Sequence, residues 1–122
     1  MKIHASGEDY LEAILILQKQ MGESAVRSVD LARHMGFSKP SICHAVSVLK
    51  NGNYLVVDNE GYLHLTDSGK AIAEKIYEKH LFLTGMLINA GVSKEVAERD
   101  ACKMEHSISD ESFRKLKETF EQ

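Results

Sequence analysis

Tryptophan is absent from these 122 residues, proline occurs once and cysteine twice. No apolar run approaches the length of a membrane span, so no membrane partner is expected. The two cysteines, Cys43 and Cys102, show no disulfide-scaffold pattern, and a reduced cytoplasm suits them best. Met1-Lys2-Ile3-His4-Ala5-Ser6 runs straight into acidic residues without an apolar signal-peptide core, which adds to the expectation of a cytoplasmic protein. Positive charge is also short. Fifteen Lys and Arg face eighteen Asp and Glu, a net charge of −3, which argues against a protein that coats nucleic acid with its whole surface. What is present, 43% hydrophobic and 27% charged residues, is the composition of an ordinary globular domain.

The charge is unevenly spread. Between Val26 and Lys50 the basic residues Arg27, Arg33, Lys39 and Lys50 face one acid, Asp30, with His34 and His44 in the same stretch. From Glu95 onward acids outnumber bases eight to five. A basic patch in an otherwise acidic chain is the electrostatic footprint of a confined DNA contact.

Hydrophobic periodicity and turn residues divide the chain. Ser6 reads as the N-cap of a first helix that carries Leu11, Ile14, Leu15 and Leu17 and stops at Gly22. A second helix spans about Ser28 to Met35 and breaks at Gly36. Ser38 caps a third, with Pro40 in its first turn, where proline is tolerated. Ile42, Ala45, Val46 and Leu49 form that helix's apolar stripe, and Gly52 ends it. Tyr54–Val57 and Tyr62–Leu65 flank a glycine-bearing turn, the pattern of a short β-hairpin. Thr66 or Asp67 then caps a long helix to about Asn89, with Ile72, Ile76, Leu83 and Leu87 as its buried stripe and His80 in line with them. Helices from Val92 to about His106 and from Ser109 onward complete the chain. The predicted fold is mainly α, a winged helix-turn-helix DNA-binding domain (residues 1–66) followed by an α-helical extension (residues 67–122).

Chemistry concentrates in Cys102-Lys103-Met104-Glu105-His106. On a helix, Cys102, Glu105 and His106 share one face, with Glu98 one turn earlier on the same side. A thiolate, a carboxylate and an imidazole converging on one point make a first-row transition-metal site plausible. Three ligands from one helix do not close such a site, so others must come from elsewhere. Each residue also has a plainer explanation. Asp9 makes an S-x-x-D capping box with Ser6, and Glu12 is an ordinary helical glutamate. His80 suits a hydrogen-bonded core histidine and Cys102 a small buried hydrophobe. Cys43 reads as packing. In the third helix Lys39, Ser41 and His44 lie off the apolar stripe, as groove-facing residues should.

Four segments carry a resemblance. They are Ser6-Gly7-Glu8-Asp9-Tyr10-Leu11-Glu12-Ala13-Ile14, Arg27-Ser28-Val29-Asp30-Leu31-Ala32, Ser38-Lys39-Pro40-Ser41 and Asp100-Ala101-Cys102-Lys103-Met104-Glu105-His106-Ser107-Ile108-Ser109. In order and spacing they resemble the diphtheria-toxin-repressor and manganese-transport-regulator family of metal-dependent bacterial repressors. The resemblance implies a homodimeric winged-helix repressor of metal-ion homeostasis that binds a palindromic double-stranded operator. It also implies a metal, Mn(II) or Fe(II), at up to two ions per subunit. Asp9 and Glu12 match the first-helix carboxylates of the manganese branch, whereas the iron branch has methionine at the position of Asp9. Cys102 matches the iron branch, where the manganese branch has a third carboxylate. His80, Glu105 and His106 match both. Glu98 stands where iron-type members carry an ancillary-site histidine, and Thr84 replaces that site's glutamate.

For DNA the resemblance and the charge pattern together point to Arg27, Ser28, Ser38, Lys39, Pro40, Ser41, His44 and Lys50. Pro40 can touch a thymine methyl and His44 can read a base edge, while Arg27, Ser28 and Lys50 suit phosphate contacts that position without specifying sequence. Two other functions share these residues. One is a small metallohydrolase, against which the H-E-x-x-H signature is missing. The other is a winged-helix regulator that responds to no metal. Metal-dependent operator binding separates all three.

Overall fold

A computed structural model describes residues 5–120 of the protein. Met1 to His4, read above for the lack of a leader, lie outside the described residues, as do Glu121 and Gln122 at the end of the expected helical domain. The chain divides into two compact units, Met1–Glu74 and Lys75–Gln122. The sequence division at Thr66 falls just before α4 (Asp67–Asn89), and the division into units falls within that helix.

The first unit is a winged helix. It comprises α1 (Ala5–Met21), α2 (Ser28–Met35), α3 (Lys39–Asn51), the strands β1 (Leu55–Val57) and β2 (Leu63–Leu65), and the start of α4. Leu11, Ile14, Val26, Leu31, Ile42, Leu55 and Leu63 are fully enclosed and form its core. At i, i+3, i+4 spacing the apolar residues of α1 and α3 each present one stripe to that core. Gly36 closes α2 in the left-handed region (φ 72°), donating its N–H to the Ala32 carbonyl, a conformation glycine adopts without a Cβ clash. Ser38 caps α3 by accepting the Ser41 N–H at 3.3 Å, as its sequence position predicts.

The hairpin pairs β1 and β2 antiparallel in the register Leu55–Leu65, Val56–His64, Val57–Leu63. It is shorter than expected, with Tyr54 and Tyr62 outside the strands. Tyr62 instead bridges to Arg27, and the Leu63 N–H reaches the Val26 carbonyl at 2.7 Å, so the second strand is tied to the loop before α2. The turn is organised by Asp58, whose Oδ1 accepts the N–H groups of Glu60 and Tyr62 while His64 Nε2 lies 2.8 Å from Oδ2. The His64 bond, then the Tyr62 N–H, hold the Asp58 carboxyl below its ordinary 3.8.

The second unit contains the remainder of α4, α5 (Lys94–Ser107) and α6 (Asp110–Phe120). Its buried residues include Ile76, Leu83, Ala97, Ala101 and Phe113, and Phe82 meets Phe113 edge to face at 5.5 Å. Among the described residues no helix is long and apolar enough to cross a membrane.

Several expectations are corrected. Ser6 lies inside α1, which already includes Ala5, so it is not the N-cap, and the capping-box explanation of Asp9 falls with it. Helix α5 begins at Lys94, because the Ser93 side chain accepts the Val96 N–H and sets the start there. Cys43 is exposed on α3, not packed, since its position lies off the Ile42/Val46/Leu49 stripe. The α4 stripe is buried at Ile76 and Leu83 but only half-buried at Ile72 and Leu87, and Lys79 is buried as well.

Candidate functional site

In the first unit α1 places Asp9 and Glu12 one turn apart. Asp9 is half-buried, whereas Glu12 retains only 7% of its surface, so it is not the exposed helical glutamate that is the default. In the second unit α4 supplies His80 and α5 supplies Cys102, Glu105 and His106. One ligating atom from each of these three α5 residues lies within 4.8 Å of the others. The i, i+3, i+4 spacing produces this convergence, as the sequence predicts. Cys102 is at the surface and is not a buried hydrophobe.

Glu105 is the centre of the second unit's cluster. It is completely buried, with Oε2 2.9 Å from His80 Nδ1 and Oε1 3.5 Å from His106 Nε2. Oε1 makes no hydrogen bond among the described residues. Burying a carboxylate carries a large desolvation cost unless strong partners compensate. An enclosed carboxylate oxygen without a hydrogen bond, ringed by imidazole nitrogens and a thiol, fits a divalent cation of the first transition row. These donors suit manganese, ferrous iron and zinc alike. Glu98 is exposed and does not converge with Cys102, Glu105 and His106. The Thr84 hydroxyl is buried and makes no hydrogen bond among the described residues.

The DNA candidates of the first unit are mostly turned to solvent. Ser38, Lys39, Pro40, Ser41, His44 and Lys50 are all exposed, and Ser28 is half-buried at the start of α2. Helix α3 thus turns its apolar stripe inward and presents a polar face to solvent, the arrangement a recognition helix needs. Two features escaped the sequence reading. Val48, 50% exposed, stands one helical turn from His44 and offers an apolar contact for a thymine methyl. The Arg27 guanidinium sits 4.3 Å from the centre of the Tyr62 ring, a cation–π stack that orients it from the hairpin side. Helical spacing from His44 was enough to find Val48. Nothing local in the sequence pairs Arg27 with Tyr62.

This surface predicts a contrast between two variants. His44→Ala is expected to weaken binding to a selected duplex by about 1–3 kcal/mol, with little effect on random DNA. Arg27→Ala is expected to weaken both alike and to flatten the salt dependence. Anisotropy titrations on both duplexes at several salt concentrations check this. Indistinguishable variants would refute the division into a base reader and a phosphate clamp.

Comparison with known proteins agrees with this geometry. Residues 2–65 match the family model described as iron dependent repressor, N-terminal DNA binding domain. Residues 66–122 match iron dependent repressor, metal binding and dimerisation domain. The transcriptional regulator MntR of Escherichia coli O6:H1 is 33% identical over 106 residues, covering 87% of this chain and 67% of that protein. An uncharacterized HTH-type transcriptional regulator of Methanocaldococcus jannaschii is 31% identical over 113 residues, covering 90% and 88%. Among solved structures, the manganese regulator SloR superposes with a TM-score of 0.83 at 24% identity, over 94% of this chain and 53% of that one. T. acidophilum IdeR superposes with a TM-score of 0.81 at 23% identity, over 100% and 56%. The chain therefore spans about two thirds of the E. coli relative and about half of these solved chains.

Proposed function

The chain belongs to the iron-dependent repressor family, and on that premise we propose that it is a transcriptional repressor whose operator binding depends on Mn(II) or Fe(II). The observation that carries this reading is Glu105, a fully buried carboxylate set between His80 and His106 in one unit, in a chain whose other unit is a winged helix with an exposed recognition face.

His80, Cys102, Glu105 and His106 hold the ion, with Asp9 and Glu12 of α1 as the remaining donors. Two things support the α1 pair: its match to the manganese branch and the burial of Glu12. When bound, a divalent cation supplies positive charge to Glu105 and a link between donors that belong to separate helices. The chain's own part is conformational. Asp9 and Glu12 share α1 with the apolar stripe that packs the winged helix, so an arrangement in which they ligate is also a particular arrangement of α3. Only an affinity that differs between two arrangements shifts their balance. The carboxylates favour manganese or ferrous iron and Cys102 the softer ions, so supply in the cell decides occupancy.

The protein works in the cytoplasm as a homodimer on a palindromic operator, matching two α3 helices to half-sites about one DNA turn apart. The second unit offers an apolar face for pairing, with Leu81 54% and Phe120 61% exposed beside Phe82 and Met86. Its reading as a regulator and not an enzyme rests on the match of both units to repressor domains.

Anisotropy with a duplex selected from a random library by the Mn(II)-loaded protein tests the reading. Tight binding with Mn(II) or Fe(II) that chelator reverses is the expected result. Equally tight binding in chelator would favour the regulator that responds to no metal.

A further inference from the structure

Lys79 is the buried charge that the fold does not explain by packing. Only 5% of its surface is exposed, in the middle of α4 and directly before His80. A buried ammonium persists only when it is paired and hydrogen-bonded. Its Nζ donates to the Ile108 carbonyl at 3.3 Å, lies 3.2 Å from Asp110 Oδ1, and stands 6.0 Å from the centre of the Phe113 ring. The other Asp110 oxygen takes the Lys75 ammonium. These bonds, from Lys75 first and then from Lys79, hold the Asp110 carboxyl below its ordinary 3.8.

The partners of Lys79 occupy the joint between two helices. Ile108 is the C-cap of α5, its N–H bonded to the Met104 carbonyl. Asp110 opens α6, whose first turn is capped by Ser109 accepting the Ser112 N–H at 3.1 Å. The last carbonyls of a helix have no intrahelical partner, and without one the final turn frays. A cation at that end also complements the helix dipole. Glu105 and His106 lie in this final turn of α5, and His80, 2.9 Å from Glu105, adjoins Lys79 on α4. Adjacent residues of α4 therefore grip the end of α5, Lys79 by its cap and His80 by Glu105.

We propose that Lys79 is a positioning residue for the metal centre. By bonding the C-cap carbonyl of α5 it fixes the rotation of the last turn, so that Glu105 meets His80 and His106 stands beside Glu105, already arranged to ligate. This rests on the metal reading above. A purely structural role makes a different forecast, for which Lys117, joining α6 to Glu78 of α4 at 2.8 Å, is the comparison.

The test uses the full chain as wild type, Lys79→Met, Lys79→Arg, Asp110→Asn and Lys117→Met. Three readouts are needed: Mn(II) affinity by competition with a fluorescent chelator, the visible absorption of bound Co(II), and thermal unfolding without metal. Lys79→Met is expected to lose about 10–100-fold in Mn(II) affinity, the usual scale for a residue that orients ligands, with an altered Co(II) spectrum. Lys79→Arg should restore both, since a guanidinium can serve the same carbonyl and carboxylate. Asp110→Asn should show a smaller loss with the same spectral change, which keeps the inference testable if Lys79→Met does not fold. Lys117→Met should lower the unfolding temperature slightly and leave affinity and spectrum as in wild type. Wild-type affinity and spectrum in Lys79→Met, or in Asp110→Asn if only that variant folds, overturn the inference, as does an equal loss in Lys117→Met. A wild-type protein that binds neither ion overturns the metal reading itself.

Discussion

Glu105→Gln is expected to lower Mn(II) affinity by at least about 100-fold, roughly 2.8 kcal/mol, and to abolish metal-dependent DNA binding, while the apo protein stays folded. The amide keeps the shape of the side chain and can still hydrogen-bond His80 Nδ1, now 2.9 Å from the carboxylate. What it removes is the negative charge at the centre of the cluster. The Glu105 side chain is fully buried and its Oε1 makes no hydrogen bond among the described residues, so the neutral amide carries a smaller desolvation cost than a carboxylate there. The apo unfolding temperature should therefore hold or rise while metal affinity collapses. Chelator competition and thermal unfolding measured together check the pair. A parallel fall in stability and affinity would mark Glu105 as a packing residue and not as a ligand.

The second large effect is expected at Gly69, in the first turn of α4. A Cβ there would lie 2.0 Å from the carbonyl oxygen of Tyr54 and 3.0 Å from its carbon. Both are backbone atoms and cannot swing aside. The approach is close because the Thr66 N–H bonds the Tyr54 carbonyl at 3.2 Å and the Thr66 hydroxyl bonds the Asn53 carbonyl at 2.7 Å. Thr66 also caps α4 by accepting the Gly69 N–H at 3.1 Å. Gly69→Ala should cost about 3 kcal/mol, the upper range for overpacking, and should displace β1 from the start of α4. Gly85→Ala is the control, since a Cβ at Gly85 meets nothing within 4 Å, and alanine favours a helix interior by about 1 kcal/mol. Urea unfolding should show Gly69→Ala destabilised and Gly85→Ala unchanged or more stable. A neutral Gly69→Ala would contradict the close contact.

The contrast between Gly69 and Glu105 shows what the sequence could and could not reveal. Helical periodicity located α2 to the residue and α3 to its cap, because Gly36, Ser38, Pro40 and Gly52 act on backbone within a few residues of themselves. The convergence of Cys102, Glu105 and His106 followed from spacing along one helix. Contacts between elements were not legible. Gly69 looks like any helical glycine until Tyr54 is brought against it. Lys79 looks like a solvated lysine until the α5–α6 joint closes over it. Tyr62 reads as a strand residue until Arg27 stacks upon it. At Ser6 the local signal misled, because a serine before acids marks a cap only when the helix does not already include it.

The central claim is that ion occupancy and DNA binding are linked through donors drawn from α1 as well as from α4 and α5. The most direct measurement is a Mn(II) titration of wild type and Asp9→Asn, with and without the selected duplex, at fixed salt. Coupled binding is reciprocal, so the duplex should tighten Mn(II) binding in the wild type by the factor by which Mn(II) tightens DNA binding, about 5–150-fold, or 1–3 kcal/mol. In Asp9→Asn that factor should shrink toward one while the apo unfolding temperature stays near the wild-type value. A wild-type Mn(II) affinity identical with and without duplex would contradict the linkage, and an enhancement undiminished in Asp9→Asn would remove Asp9 from it.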